Sequence, residues 1–300
     1  MKSVKFASLV KARILVVLIP VRDKLLKCLG RTDFETIYFE GGLGSQILTY
    51  IEFLLSPRKV DLKYFKHPPI GDHIGPDIWD WELDRYGIKL DDFSEYENSK
   101  PFNPWITRRP STLEYSSRAQ RRTSIEKLKL HKNIQEHFPI NTPALIKALE
   151  EFEIELDRTV SIHIRRGDYV RVASRLVEYR EYENVLKSIS LQPNYKLLFL
   201  SDSELPSEVK EYFKKVFADR KVEFFSENDI STHLTHDLMR MSKVLITANS
   251  TFSISAGLLS DANSLVLSPI EFFGGEDGYM KSRIFNRYGQ FFVLGKNFLT

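Results

Sequence analysis

From residue 159 to residue 267 the chain alternates short β-branched and aromatic runs with amphipathic helical stretches, and this alternation limits the fold more than any other feature. The spacing predicts strands over Thr159–Ile164, Tyr195–Leu200, Val222–Phe225, Lys243–Thr247 and Ser264–Leu267. Helices over Glu178–Ser190, Pro206–Ala218, Thr232–Met241 and Thr251–Ser260 fall between them. Strands that alternate with helices are joined by right-handed crossovers, which implies a parallel, doubly wound sheet covered on both faces. A second unit opens earlier: Thr36–Glu40 reads as a strand, Gly41-Gly42-Leu43-Gly44 as a turn and Ser45–Leu55 as a largely buried helix. Strand, glycine turn and helix in that order begin a Rossmann-like unit. Residues 56–140, rich in proline, aromatics and charge, predict helices and long loops.

At 300 residues and 35.0 kDa the chain exceeds the usual single-domain size, so two domains of roughly 150 residues are expected, 32–150 and 151–300, behind an extension over 1–31. Its composition, 42% hydrophobic and 28% charged, is that of a globular protein. The single cysteine, Cys28, excludes a disulfide framework and a cysteine zinc site and points to a reducing compartment. No stretch reaches the ~20 apolar residues of a membrane-spanning helix, so a cytoplasmic location is expected.

The net charge of +3 is unevenly spread. Residues 1–31 carry eight cations against Asp23, and the remainder is mildly acidic. Phe6, Leu9, Val10, Ile14, Val17, Leu18, Val21, Leu25 and Leu29 recur at near-helical spacing among those cations, and no cleavage site of a secretory signal follows. Two readings stay open: a basic amphipathic segment lying on the anionic inner face of a membrane, or an extra helix packed on the fold. The acidic body and the lack of an RNA-binding signature argue against nucleic acid, despite Arg108-Arg109 and Arg118, Arg121 and Arg122.

In open α/β sheets ligands bind beyond the carboxyl ends of the strands. The strand Thr159–Ile164 runs out into Arg165-Arg166-Gly167-Asp168-Tyr169, with His163 and Arg165 on one face. A phosphate pair would relieve the repulsion of adjacent arginines through bidentate bonds; Gly167 would allow the turn, and Asp168 could pin a guanidinium. A surface salt-bridge cluster is the plainer alternative. Strand Tyr195–Leu200 ends in Ser201-Asp202, where a carboxylate could accept the paired donors of a guanine edge or simply cap the next helix. Lys243–Thr247 runs into Ala248-Asn249-Ser250-Thr251, hydroxyl residues that could cradle phosphate at a helix N-terminus or merely cap it. No Asp-x-Asp lies beside these strands, and His233 and His236 lack the partners of a metal site, so arginine is expected to neutralise a nucleotide diphosphate without a metal.

Gly41-Gly42-Leu43-Gly44-x-Gln46, His163-x-Arg165-Arg166-Gly167-Asp168-Tyr169, Ser201-Asp202, and Asp237-Leu238-Met239 through Ala248-Asn249-Ser250-Thr251-Phe252-Ser253 with Gly257 together resemble the α-1,2-fucosyltransferase family, glycosyltransferase family 11. The resemblance implies an α/β, GT-B-like architecture: two Rossmann-like domains with parallel sheets facing across a cleft, the first on the acceptor side and the second binding GDP-fucose. It also implies inverting, metal-independent transfer of fucose to the 2-hydroxyl of a galactose in a surface glycan or its lipid-linked precursor. Alternatives are another linkage, α-1,3 or α-1,6, or another GDP-sugar. By the same resemblance Arg165 contacts the β-phosphate, His163 and Asp202 hold the nucleoside, and Ser250 and Thr251 line the phosphate pocket. Arg166, Asn249, Gly42 and Gly44 complete the expected donor site. Glu40, beside the glycine turn, is the candidate base for the acceptor hydroxyl, with Asp168 as an orienting partner. The chain departs from the family pattern at Ser45, where Asn is usual, at Ser203, and at Ile254-Ser255 in place of a Trp pair.

Overall fold

The computed structural model describes residues 34–39, 41–55, 59–64, 80–89, 94–95, 134–167, 170, 176–261, 263–269, 287–288 and 291–294. The extension over 1–31, Glu40 and Asp168 lie outside these residues.

The alternating segments form the expected doubly wound unit. Strands β4 (Thr159–Ile164), β5 (Lys196–Ser201), β6 (Val222–Phe225), β7 (Val244–Ile246) and β8 (Leu265–Pro269) are parallel, in the order β6-β5-β4-β7-β8. A hairpin of β9 (Arg287–Tyr288) and β10 (Phe291–Leu294) extends the sheet antiparallel to β8. The order reverses between β4 and β7, the point beyond whose strand ends open α/β sheets bind their ligands.

The sheet is buried on both faces. Val160, Ile162 and Ile164 of β4, with Leu197, Phe199, Val244 and Ile246, pack under α3 (Tyr179–Ser188) and α4 (Ser207–Val216) through Tyr182, Val185 and Phe213. Leu198, Leu200, Leu245 and Val266 face the other way, against α2 (Thr142–Glu151), α5 (Thr232–Met241) and α6 (Thr251–Leu258). Ser161 of β4 meets Ser242 with their hydroxyl oxygens 2.6 Å apart, so this polar strand residue is satisfied inside the core. Because Leu145 of α2 belongs to this core, the chain has entered the second unit's layers before residue 150.

The first unit is a small parallel sheet of β1 (Phe34–Phe39), β2 (Lys59–Tyr64) and β3 (Ser94–Glu95), with α1 (Leu43–Leu55) as its crossover. Phe39, Leu43, Ile47 and Ile51 share a core with Leu83, Phe138 and Leu259, the last just beyond α6. The two units therefore touch through α1 and α6. Gly44 makes that contact close: a Cβ there would lie 2.3 Å from Phe252 Cα and 2.4 Å from its amide nitrogen. Ser45, at the position expected to face the cleft, is buried, and its Oγ lies 3.1 Å from Thr251 Oγ1.

Candidate active site

Three strand ends of the second unit meet at the reversal point. Arg165 follows β4, Asp202 follows β5, and Asn249-Ser250 lead from β7 into α6. Asp202 reaches across to the β4 loop, where Oδ1 accepts the Arg166 amide at 2.7 Å and Oδ2 pairs with Arg165 Nε at 3.0 Å. The carboxylate expected to read a guanine edge thus engages the arginine loop. Gly167 lies in the turn predicted for it, where the Val170 amide donates to the Arg166 carbonyl at 2.9 Å, and it has a second use. Among the described glycines only Gly41 and Gly87 have positive φ, whereas a Cβ on Gly167 would lie 2.4 Å from Asp202 Oδ2. Glycine is needed there to admit the clamp.

The arginine pair is divided between two holders. Arg165 stands in the Asp202 clamp with its side chain 28% exposed, available to a ligand. Arg166 lies over the Tyr179 ring, 4.0 Å from its centroid, and donates to the Val177 carbonyl at 3.1 Å. Its guanidinium is spent on the start of α3, which leaves Arg165 as the more available of the two.

Beside it, the first turn of α6 is built from hydroxyls. Ser250 caps the helix, its Oγ accepting the Phe252 amide at 3.3 Å, and Ser253 Oγ accepts the Ala248 amide at 3.1 Å. Asn249 is half-buried, and Thr251 is joined to Ser45. Of the two glycines expected on the donor side, Gly42 is exposed, whereas Gly44 is buried between the helices.

His163 is 1% exposed and its ring lies 5.4 Å from that of Phe252; the ring of His236 of α5, fully buried, also lies 5.4 Å from Phe252. Ser255 Oγ spends its proton on the Phe252 carbonyl at 2.8 Å, so His236 Nε2 must donate to Ser255 Oγ at 3.0 Å. Nδ1 of each imidazole has no hydrogen-bond partner among the described residues. Burial, reinforced by the Arg165 charge, holds His163 far below its usual value, at about 3; burial and then Arg240 depress His236 in the same direction. Both rings are neutral at pH 7. In the unfolded chain each takes a proton near the ordinary 6.5, while the folded chain cannot. Stability is therefore full above that value and falls as the pH drops below it, by about 1.4 kcal/mol per pH unit for each histidine. Urea unfolding between pH 6.5 and 5 should show this slope, reduced by half in His236→Gln; a flat profile would contradict the buried neutral pair.

Sequence reasoning missed two further groups. Arg85 is salt-bridged to Asp237 of α5 at 2.5 Å, with Asp237 only 1% exposed. With Asn141, Ser231 and His233 they line a pocket of about 200 Å³ at the first turns of α2 and α5. Glu82 takes the Leu43 amide at 2.7 Å and so caps α1 from 39 residues away, a relation no local pattern discloses. Among the described residues, no three His, Cys, Asp or Glu side chains converge in a metal-binding group. No described helix is long and apolar enough to cross a membrane.

No protein of curated function matches the chain. Among solved structures it is similar to the NodZ α-1,6-fucosyltransferase soaked with GDP-fucose, at 15% identity and a TM-score of 0.42, over 81% of this chain and 97% of that one. Fucosyltransferase NodZ from Bradyrhizobium gives 15% identity and a TM-score of 0.41 over 79% and 94%. POFUT1 in complex with GDP-fucose gives 13% and 0.33 over 45% of each chain. The family model of glycosyl transferase family 11 matches residues 80–283, a span that runs from the Glu82 segment through the Arg165–Asp202 clamp and the α6 turn. More than half of the sequence is covered, and the chain belongs to glycosyl transferase family 11.

Proposed function

We propose that this chain transfers fucose from GDP-fucose, with inversion and without a metal ion, to the 2-hydroxyl of a galactose in a surface glycan or its lipid-linked precursor. One observation carries the reading. A guanidinium, Arg165, is fixed by Asp202 at the carboxyl end of β4, beside the hydroxyl-lined N-terminus of α6 at the point where strand order reverses. Breaking a sugar–phosphate bond places new negative charge on the departing diphosphate. A guanidinium and a helix N-terminus already aimed at that position stabilise the charge without reorganising. Asp202 acts as the clamp that fixes the arginine, and His163, expected from the resemblance to hold the nucleoside, is instead buried and stays neutral beside that cation. Inversion requires the acceptor oxygen to approach C1 from the side opposite the diphosphate, across a cleft from the first unit.

Incubation with GDP-fucose and lactose, followed by NMR of the product, tests the reading. The expected product carries fucose on the galactose 2-hydroxyl, in equal yield with and without EDTA. Fucose on another hydroxyl would overturn the linkage. Loss of activity in EDTA would overturn metal-independent transfer, and turnover of GDP-mannose in preference to GDP-fucose would overturn the donor.

A further inference from the structure

We propose that Glu82 is the base that removes the proton from the acceptor hydroxyl. The inference rests on the transferase reading above and assigns the acceptor-side base to a residue other than Glu40, the candidate from the sequence, which lies outside the described residues. Glu82 Oε1 accepts the Leu43 amide at 2.7 Å, which seats the carboxylate on the first turn of α1. It lies against Gly42, where an added Cβ would be 3.4 Å from the same oxygen, and Gly42 is exposed. The next two residues of α1 are those that touch α6: Gly44 packs on Phe252, and Ser45 meets Thr251. Glu82 therefore stands on the first unit at the same helix junction whose other side holds the proposed diphosphate site.

The position is held from both directions. The Glu82 amide donates to Gln46 Oε1 at 3.0 Å, and the fully buried Gln46 donates in turn to the Gly41 carbonyl at 2.8 Å and the Asp80 carbonyl at 2.7 Å. The Glu82 carbonyl lies 3.1 Å from His233 Nε2 of α5. Such fixation is what a proton acceptor of defined geometry requires.

Among the described residues, two other carboxylates of the site are already neutralised. Asp202 faces Arg165 and Asp237 faces Arg85, whereas Glu82 has no cation against it among the described residues. The titratable groups that face it are Asp80 on its own segment, Tyr86 one turn on, and His233 of α5, which meets its carbonyl. Burial raises the carboxyl, the Leu43 amide lowers it, and Asp80 raises it again, with a net upward shift. A carboxylate that holds a proton more tightly than usual suits this role.

The step balances. A lone pair of the acceptor oxygen forms the bond to C1 of fucose, the bond from C1 to the phosphate oxygen breaks with its pair leaving on GDP, and the hydroxyl proton passes to Glu82, which later returns it to water.

Glu82→Gln separates this role from helix capping, because the amide oxygen still accepts from Leu43. With GDP-fucose and lactose the variant should lose about a hundredfold or more in kcat. GDP affinity should be unchanged by titration, and the acidic limb of the kcat/KM profile should disappear. Azide needs no base, so adding it should restore GDP release and yield fucosyl azide. A variant whose kcat stays near wild type with the acidic limb intact would overturn the proposal. So would a slow variant that also loses GDP affinity and is not rescued by azide, since that is the behaviour of a broken cap. A wild-type protein that does not bind GDP-fucose would instead defeat the donor reading beneath it.

Discussion

Replacing Arg165 with alanine should lower the rate of fucosyl transfer about 10²–10³-fold, the usual loss when one preorganised donor is removed from a developing negative charge. The expectation follows from how the side chain is held. Asp202 fixes Nε at 3.0 Å, and the side chain is 28% exposed, outside the core. Its loss therefore removes charge stabilisation with little damage to packing. The Arg166 amide retains its bond to Asp202 Oδ1, so the loop keeps one anchor. Arg165→Lys should recover only part of the rate, because an ammonium restores charge but lacks the planar fork. Steady-state kinetics would check both variants, with circular dichroism to confirm the fold. A rate near wild type in Arg165→Ala would show that the clamp is structural.

The second large effect is on stability. Gly44→Ala would gain about 1 kcal/mol of intrinsic helix preference in an isolated helix. Here the new methyl would lie 2.3 Å from Phe252 Cα, 2.4 Å from its nitrogen and 2.6 Å from Thr251 C. All three are backbone atoms, so no rotamer change relieves the clash, and α1 must move away from α6. Overpacking of this kind costs roughly 1–3 kcal/mol or more, and the shift also parts Ser45 from Thr251. Urea unfolding should show a lower midpoint with an unchanged slope. Gly42→Ala is the control for stability: its Cβ meets only the end of the Glu82 side chain, at 3.4 Å, so a small change is expected. A Gly44→Ala protein as stable as wild type would mean that the two helices are not locked.

The second unit was legible because its signals are local. The run TVSIHI is rich in β-branched residues and buried throughout, so β4 keeps its predicted limits, as do β6 and α5. The carboxyl-end rule then pointed to Arg165, Asp202 and Asn249–Thr251, which the sheet brings to one edge. What the sequence left hidden depends on distant partners. Nothing near Asp202 shows that its carboxylate clamps residues 36 and 37 positions earlier, or that Gly167 exists to admit it. Arg165 and Arg166 read as one pair and part only because Tyr179 offers a ring to the second. The first unit was harder: β2, KVDLKY, is charged, and Glu82 acts on Leu43 from 39 residues away. The Gly-Gly-Leu-Gly segment was read as one turn, but it combines a positive-φ glycine, Gly41, with a packing glycine, Gly44.

Calorimetric titration of GDP, ADP and UDP into the full chain and into its Arg165→Ala variant bears most directly on the diphosphate site at β4 and α6. Wild type should bind GDP in preference to ADP and UDP, in EDTA as in buffer, and the variant should lose most of that affinity. Equal GDP affinity in the two proteins, or binding that appears only with added magnesium, would contradict it.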